Sequence, residues 1–345
     1  MLYVGLDLSR KRLDWQALDQ AGTWVASGAV PPDRDGLEQL PRRLGDAAEV
    51  VAVIESMSGA RFVHDRLERA GWDVRIADAL KARGLAPLAC KTDRIDCWVL
   101  AELGRLDLVP EVWLPDPQVR GERERARFRL HLVRHRVALK NRVHAILFQH
   151  GIANPHRDLF GAGGRYQLTR LRLPEPWAST VAASLALIDA LDDQISDCER
   201  ELRRLGADHR YIPLLTTIPG IAWVLGYTIA AEIGEISRFP SPRKLIGYTG
   251  LTPRVDQSGE RDRRGPLRKN GPNYLRWALI EAAHTAGRDP RYRPIVERMR
   301  TRHGRKRGSK IAAIEIGRRL TEAIWHMLTN DRPFAPAGAP TPVAA

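Results

Sequence analysis

The chain has 345 residues, of which 55 are lysine or arginine and 41 are aspartate or glutamate, so its formal net charge is +14. A hydrophobic content of 43% with 28% charged residues is typical of globular proteins and excludes a wholly disordered chain. No apolar run reaches the ~20 residues of a membrane span and no signal pattern opens the chain, so we expect a soluble cytoplasmic protein. The excess of positive charge predicts a polyanionic partner, either nucleic acid or an acidic membrane surface.

Cysteine spacing gives no sign of a disulfide framework or of a zinc site. Cys90, Cys97 and Cys198 form no CxxC pair and stand beside no histidine at zinc-ligand spacing. A reducing compartment fits this pattern.

The first third of the chain alternates predicted strands and helices. Strands are expected over 2–9, 12–18, 23–30, 50–54 and 72–77, and helices over 35–44, 59–70 and 93–106. The short connections between the first three strands favour antiparallel pairing. The five consecutive apolar residues of 50–54 indicate a central strand that is buried on both faces. Residues 1–110 are therefore predicted to form an α/β domain with a mixed sheet.

Two long helices are predicted after a proline-rich boundary at residues 110–117. The helix over 119–150 is densely basic. The helix over 178–205 carries apolar residues at alternating steps of three and four, namely Val181, Leu185, Ile188, Leu191, Ile195, Cys198, Leu202 and Leu205. This spacing predicts a coiled-coil seam in an arm over 118–206. The pattern is equally compatible with a helical hairpin that packs on itself and with an oligomerisation arm.

Residues 211–330 are predicted to form a mainly helical domain. The Pro219-Gly220 turn between apolar helices is typical of a helix-hairpin-helix, which presents backbone N–H groups to phosphates, although a plain structural turn is equally compatible. A polar, glycine-rich segment over 250–273 precedes a helix over 274–286. The Pro/Ala-rich residues 331–345 are predicted to be a disordered tail.

Four acidic residues are placed where they could converge. Asp7 ends the first strand, Glu55 directly follows the apolar fourth strand, and Asp93 and Asp96 share one helix face at i,i+3 spacing. Four such carboxylates would repel one another unless divalent cations compensated them. Mg²⁺, or Mn²⁺ in its place, takes hard oxygen ligands and can clamp the attacking and leaving oxygens of phosphoryl transfer.

The order of these elements and acids resembles the DEDD catalytic core of RuvC-like nucleases, which have the ribonuclease-H-like fold. The segment Lys91-Thr92-Asp93-Arg94-Ile95-Asp96 is similar to an acidic motif of the insertion-sequence transposases of the IS-one-ten family. Cys97 stands where these transposases are expected to carry a small residue such as alanine, a change that cysteine should tolerate.

The second half resembles the same family independently. The segments 247–253, 257–259 and 265–271, with Leu275-Arg276, are similar to its C-terminal domain, whose Ser-Gly loop carries a nucleophilic serine, here Ser258. Arg268 departs from the small hydroxyl residue expected there. The resemblance extends from Asp7 to about Leu328. It implies a bacterial, bridge-RNA-guided recombinase that acts on nucleoid DNA through a phosphoserine intermediate, with its two domains acting across protomers of a dimer or tetramer.

The positive charge is concentrated beyond the first domain. Residues 1–117 hold 15 Lys+Arg against 19 Asp+Glu, whereas residues 118–345 hold 40 against 22. The densest basic stretches are 120–142 and 298–310, which we interpret as phosphate-binding tracks. The candidate nucleic-acid-binding residues are Arg120, Arg127, Arg134, Lys140, Arg254, Arg264, Lys269, Arg276, Arg305 and Lys306.

Other functions remain to be weighed against a transposase. A metal-dependent RuvC-like nuclease or resolvase would use the acids and leave Ser258 structural, and an inactive nucleic-acid-binding scaffold would use neither. An ATP-using member of the actin and sugar-kinase fold would need glycine-rich phosphate turns at strand ends in both halves, and the sequence offers none that is convincing.

Overall fold

The computed structural model describes residues 1–45, 49–85, 93–258 and 261–335, and for residues 93, 255–258 and 261–264 we describe the backbone alone. The chain divides into two compact units, Met1–Leu114 and Pro115–Ala345. The first unit continues past residue 110, the boundary expected from the sequence. The backbone N–H of Val112 donates to the carbonyl of Ile76 at 2.8 Å, which attaches this segment to the edge of the sheet.

A mixed five-stranded sheet forms the centre of the first unit, as the sequence predicted. Its strands stand in the order β3-β2-β1-β4-β5. β2 pairs antiparallel with both β1 and β3, whereas β1, β4 and β5 run parallel. The elements are β1 (Leu2–Leu8), β2 (Leu13–Leu18), β3 (Trp24–Val30), α1 (Arg34–Leu44), β4 (Val50–Glu55), α2 (Ala60–Arg69), β5 (Asp73–Ala77), α3 (Ala79–Leu85) and α4 (Asp93–Arg105). The short helix α3 was not anticipated from the sequence.

The two faces of this sheet are covered by different helices. One face supplies Leu6, Leu8 and Ile54 to a core that also contains Leu40 of α1 and Leu67 of α2. On the other face, Val53 and Ala77 pack with residues of α3 and α4, which are Ala82, Leu100 and Leu103. Because side chains alternate across a strand, β1 and β4 send every second residue toward α4.

Helix α4 lies directly against β1, and a glycine makes this contact possible. A Cβ atom built on Gly5 would lie 1.7 Å from the carbonyl oxygen of Cys97 and 2.8 Å from the backbone nitrogen of Ala101. Near the other end of the helix, a Cβ on Gly104 would lie 2.9 Å from Val53 and 3.9 Å from Tyr3, which precedes Gly5 in β1. The N-terminal part of α4 therefore lies toward the carboxyl end of β1.

The second unit is mainly helical, as expected. Its elements are α5 (Pro117–Gln149), α6 (Ala162–Arg170), α7 (Trp177–Gly206), α8 (Ile212–Leu215), α9 (Trp223–Ile233), a 3₁₀ turn (Ile236–Arg238), α10 (Pro242–Thr249), β6 (Pro253–Ser258), β7 (Arg261–Leu267), α11 (Asn273–Ala286), α12 (Arg293–His303) and α13 (Arg305–Asn330). Across the described ranges of the chain, no helix combines the length and apolarity that crossing a membrane requires.

The long helices α5 and α7 pair in an antiparallel hairpin. Ion pairs join Arg125 to Glu201, Arg129 to Glu199 and Arg136 to Asp192, so residue numbers fall on one helix as they rise on the other. The residues of α7 that this pairing buries recur every seven positions, at Val181, Ile188, Ile195 and Leu202. A self-packed hairpin thus accounts for the apolar seam, and the oligomerisation arm remains a prediction.

The Pro219-Gly220 turn packs against helix α11. Gly220 has a φ of 90°, and a Cβ on it would lie 2.5 Å from the carbonyl oxygen of Ala282. Ile218 and Ile221 on either side of the turn are buried in the core of the unit. The turn therefore has a packing role, and its interpretation as a helix-hairpin-helix gains no support.

The beginning of the predicted disordered tail lies on the second unit. The backbone N–H of Phe334 donates to the hydroxyl of Thr217 at 2.9 Å, and the Arg291 guanidinium lies over the Phe334 ring. Residues 336–345 lie outside the described residues.

Candidate active site

Two of the predicted acids are neighbours at the carboxyl ends of the central strands. The parallel register pairs Gly5 with Val53 and Leu6 with Ile54, so Asp7 and Glu55 follow as the next residue of each strand. Gly5 and Val53 both face α4, and residues two positions further along each strand face the same side. Asp7 and Glu55 therefore share the face of the sheet that α4 covers, and both side chains are half-buried.

Helix α4 brings the other two acids to the same end of the sheet. Asp93 is its first residue, and Asp96 is half-buried directly before Cys97, the residue that contacts Gly5. The side chain of Asp93 lies outside the description. The backbone of α4 begins at Asp93, four residues before Cys97.

The pKa of the Cys97 thiol depends on burial and on the carboxylates around it. The pKa of the Cys97 thiol is raised to about 12, first by burial and then by the charges of Asp7, Asp14 and Asp96, while a hydrogen bond with the backbone of Asp7 lowers it. Three carboxylates from β1, β2 and α4 thus act on one buried sulfur atom. The sequence analysis missed Asp14, which lies opposite Asp7 in the β1–β2 register and is paired with Arg12 at 2.7 Å.

The donor set suits a hard divalent cation, although the described side chains form no complete metal site. Among the side chains that the structure describes, no group of three or more candidate ligands is close enough to hold a metal ion. Asp93, the fourth predicted ligand, is outside that comparison. Carboxylate oxygens are the ligands that Mg²⁺ takes, so the chemistry of the acidic edge, defined here as Asp7, Glu55, Asp93 and Asp96, fits the expected metal.

Cys97 is expected to resist alkylation in the folded protein. Its side chain is 1% exposed, and with a pKa of about 12 only about one thiol in 10⁴ is ionised at pH 8. Mass spectrometry after iodoacetamide treatment should find Cys97 unmodified in native protein and modified after unfolding. The half-buried Cys198 provides an internal comparison. Modification of Cys97 in native protein at the rate of Cys198 would contradict this packing of α4.

The candidate nucleophile lies at the end of a β-hairpin. β6 and β7 pair antiparallel with Ser258 opposite Arg261, and residues 259–260 between them lie outside the described residues. The sequence analysis treated this segment as a glycine-rich loop and missed the two strands. The signal that could have found them is the pair Gly259-Glu260 between two polar runs, because one of the two common two-residue hairpin turns, type II′, carries glycine first.

The base of this hairpin is anchored by close backbone contacts. The backbone N–H of Arg268 donates to the carbonyl of Thr252 at 3.0 Å. A Cβ on Gly250 would lie 2.3 Å from the carbonyl oxygen of Asn270, and one on Gly271 would lie 2.0 Å from that of Tyr248. The segments entering and leaving the hairpin therefore lie backbone to backbone between α10 and α11.

An ion pair with a buried carboxylate connects helix α5 with helix α9. The carboxylate of Glu232 on α9 is fully buried and accepts hydrogen bonds from Arg127 at 2.7 and 2.9 Å, which raise the pKa of the Arg127 guanidinium. Arg123 donates to the carbonyl oxygens of Ala231 and Glu232. Arg127 and Arg134 both lie over the ring of Tyr274, in the first turn of α11. Arg127, predicted to bind nucleic acid, thus has a partner within the protein.

Removing the charge of Glu232 is expected to destabilise the second unit. Glu232→Gln removes the buried carboxylate that accepts two hydrogen bonds from Arg127, and a hydrogen bond to a charged group contributes about 1.5–3 kcal/mol. The exposed Arg125–Glu201 pair, also on α5, gives the matched control Glu201→Gln, with an expected cost under about 1 kcal/mol. Urea unfolding of the full chain measures both variants. Equal costs for the two substitutions would contradict this assignment.

The other predicted nucleic-acid-binding residues differ in their exposure and in their contacts within the protein. Arg254, Lys269, Arg305 and Lys306 are exposed, and Lys140 lies over the Phe160 ring at 4.8 Å. The Arg276 guanidinium donates to the carbonyl of Thr249 at 3.3 Å, and burial lowers its pKa. Arg120 is half-buried, and the side chain of Arg264 is not described. Their contacts with nucleic acid stay predictions.

Comparison with known families identifies the class of protein to which this chain belongs. A profile described as "Transposase", for the DEDD enzymes of IS110, matches residues 4–152, from β1 to the end of α5. A second profile, described as "Transposase IS116/IS110/IS902 family", matches residues 212–296. Both profiles describe transposases, and together they identify the chain as a DNA transposase. The chain belongs to the IS116/IS110/IS902 family of transposases, as its motifs indicated.

Two of the individual relatives align with this chain over most of its length, and a third aligns with less than half of it. It is 27% identical to the transposase for insertion sequence element IS1328 of Yersinia enterocolitica, over 96% of this chain and 98% of that protein. It is 22% identical to a probable family 20 transposase of Pseudomonas aeruginosa over the same shares. A pilin gene-inverting protein of Moraxella bovis is 32% identical over 44% of this chain and 45% of its own length.

Proposed function

We propose that this transposase cuts and rejoins DNA through a phosphoserine intermediate at Ser258, with divalent metal held by Asp7, Glu55, Asp93 and Asp96. The observation that supports this proposal is that Asp7 and Glu55 lie side by side on neighbouring parallel strands, while the helix that begins at Asp93 packs on β1 at Gly5. The β3-β2-β1-β4-β5 order supports the further proposal that the first unit is ribonuclease-H-like, of the RuvC type.

The acidic edge supplies the metal ligands of the proposed reaction. Bound there, Mg²⁺ or Mn²⁺ would stabilise negative charge on the phosphate oxygens during the displacement. Asp7 and Glu55 come from neighbouring strands, so their spacing is fixed by the sheet, and Asp93 and Asp96 are fixed by the seating of α4 on Gly5. The rigidity of these elements suits the narrow geometric tolerance of Mg²⁺.

Ser258 supplies the nucleophile of the proposed reaction. Its oxygen forms a bond to phosphorus while the bond from phosphorus to the 3′ oxygen breaks. The serine proton leaves and the 3′ oxygen gains a proton, which gives a phosphoserine ester and a free 3′ hydroxyl. Attack by the 3′ hydroxyl of another strand reverses these steps and restores the serine. The neighbouring cations Arg254, Arg264 and Lys269 are suited to neutralise phosphate charge.

A guide RNA and an oligomer complete the proposal. We propose that an RNA encoded by the element directs the enzyme to its donor and target DNA by base pairing, and that a dimer or tetramer acts on the bacterial nucleoid. The excess of positive charge beyond residue 117 supports a polyanionic partner. Sequencing the nucleic acid that co-purifies with the protein tests the RNA directly. One enriched small RNA is expected, and random host RNA alone would count against guidance.

A metal-dependent nuclease without serine chemistry is the second candidate, because the acidic edge alone could serve it. Ser258→Ala separates the two functions. With cognate DNA, RNA and Mg²⁺, this variant is expected to lose strand exchange entirely, while the control Ser241→Ala, at the start of α10, retains it. Strand exchange by Ser258→Ala at near the original rate would refute the serine mechanism and favour the nuclease.

A further inference from the structure

A basic cleft lies between the last three helices and is separate from the elements that carry the acidic edge and Ser258. Its volume is about 380 Å³. Helix α11 contributes Ala283, Gly287 directly follows that helix, α12 contributes Val296, and α13 contributes Ala312 and Ile316. These small or aliphatic residues form an apolar floor. The rim carries Arg288, Arg293, Arg300, His284 and Ser309, with one acid, Glu297.

The cleft stands in the most basic part of the chain. Residues 288–310 include ten lysines or arginines and only two acids, Asp289 and Glu297. Both acids are already engaged, Asp289 with Arg291 and Glu297 with Arg293, each at 2.8 Å. The positive charge of the remaining arginines is therefore available to an anion from outside.

Arg300 is held in place at the rim. Its Nε donates to the hydroxyl of Ser309 at 2.9 Å, and that hydroxyl donates to the carbonyl of Arg305 at 2.7 Å. A Cβ on Gly308 would lie 2.3 Å from the carbonyl oxygen of Met299, so α12 and α13 lie backbone to backbone at this point. Within the described part of the chain, the Nη groups of Arg300 make no further hydrogen bond or ion pair.

Arg288 is the second available cation of the cleft. It follows directly on Gly287, which ends α11, and its side chain is exposed. Judged by the described residues, that side chain makes no hydrogen bond or ion pair. A fixed guanidinium and a free one thus stand on the rim of one cleft. Arginine guanidinium groups bind phosphate through charge-assisted hydrogen bonds, and the apolar floor offers a surface for a base or sugar.

We propose that this cleft binds one nucleotide of an unpaired nucleic-acid strand, with phosphate on Arg288 and Arg300 and the base or sugar over the floor of Ala283, Ala312 and Ile316. A volume of about 380 Å³ suits a single nucleotide, whereas a paired base would have to leave its stack to enter. This proposal rests on the proposed function only in taking nucleic acid as the substrate. DNA and RNA offer the same phosphodiester chemistry, so the experiment must separate them.

Fluorescence anisotropy with the full chain tests the cleft without depending on the serine reaction. All proteins carry Ser258→Ala, and the probes are labelled 12-nucleotide single strands of DNA and of RNA and the corresponding DNA duplex, each titrated from 50 to 300 mM salt. Arg288→Gln/Arg300→Gln should weaken binding of at least one single strand by roughly 10- to 100-fold. Its salt slope should become shallower by about 1.4, the value for two phosphates of a single strand. The duplex should be affected much less.

Controls separate the cleft from general loss of charge and from misfolding. Arg157→Gln/Arg203→Gln removes two exposed arginines elsewhere and should weaken single-strand binding by less than about 3-fold. Ser309→Ala should weaken it several-fold, and Ser309→Thr should retain it, because only the hydroxyl holds Arg300. Losses equal to those of the control pair, or equal losses for the duplex and both single strands, would overturn the proposal. A failed serine reaction would leave this result unchanged.

Discussion

Replacing Asp7 by asparagine is expected to lower the rate of strand exchange by about 10³-fold or more. The substitution keeps the size of the side chain and its place at the end of β1, but it removes one of the carboxylate charges of the acidic edge. A metal ion that stabilises phosphoryl-transfer charge contributes several kcal/mol, and its loss gives an effect of this order. The measurement is the single-turnover rate of strand exchange as a function of Mg²⁺ concentration, with folding checked by circular dichroism.

Asp14 provides a matched control for Asp7. It lies directly opposite Asp7 in the antiparallel register and on the same face of the sheet, but its carboxylate is paired with Arg12. Asp14→Asn is therefore expected to change the rate by less than about 5-fold, because Asp14 is not one of the proposed metal ligands and its partner Arg12 is 64% exposed. Equal losses from Asp7→Asn and Asp14→Asn would show that charge near β1, and not the acidic edge, determines activity.

Replacing Gly5 by alanine is expected to displace helix α4 and to abolish metal-dependent activity with it. The new methyl group would fall 1.7 Å from the carbonyl oxygen of Cys97, and neither backbone can yield without separating the helix from the sheet. Overpacking of this kind costs about 3 kcal/mol and can cost more. Chemical denaturation should report the loss of stability, and alkylation of Cys97 in the native state should report the movement of α4.

Gly84 is the matched control for Gly5 within the same unit. A Cβ on Gly84 in α3 would meet nothing within 4 Å. Gly84→Ala should leave activity unchanged and raise stability by up to about 1 kcal/mol, since alanine is the better helix former. A Gly5→Ala protein with the stability and activity of Gly84→Ala would contradict the described seating of α4.

Much of the first unit could be predicted because its pattern is local. The apolar run Val50–Ile54 identified a central strand, and Glu55 directly after it marked the edge of the sheet. The short turns around Asp19 indicated the antiparallel part of the sheet. Once β1 and β4 were neighbours, Asp7 and Glu55 had to lie together. The shared helix face expected for Asp93 and Asp96 from their i,i+3 spacing stays a prediction.

The contacts that hold the site together depend on residues distant in sequence. Gly5 allows α4 to approach β1 because the backbone of Cys97 lies against it. The sequence around neither residue predicts that contact. From the sequence, Arg127 is indistinguishable from the other cations of a basic helix. Its partner, the buried Glu232, lies about a hundred residues later in the chain. The strands around Ser258 are short and polar, so they lack the alternation of apolar residues that identifies most strands.

The most direct test of the central claim is to identify the amino acid that becomes attached to DNA. The protein is incubated with Mg²⁺, its co-purified nucleic acid and a cognate DNA nicked so that rejoining is blocked. It is then denatured, digested with nuclease and protease, and analysed by mass spectrometry. A nucleotide remnant on the peptide that contains Ser258 is predicted, and its yield should fall to background with Asp7→Asn. Strand exchange without any adduct, or an adduct on another residue, would contradict the proposed mechanism.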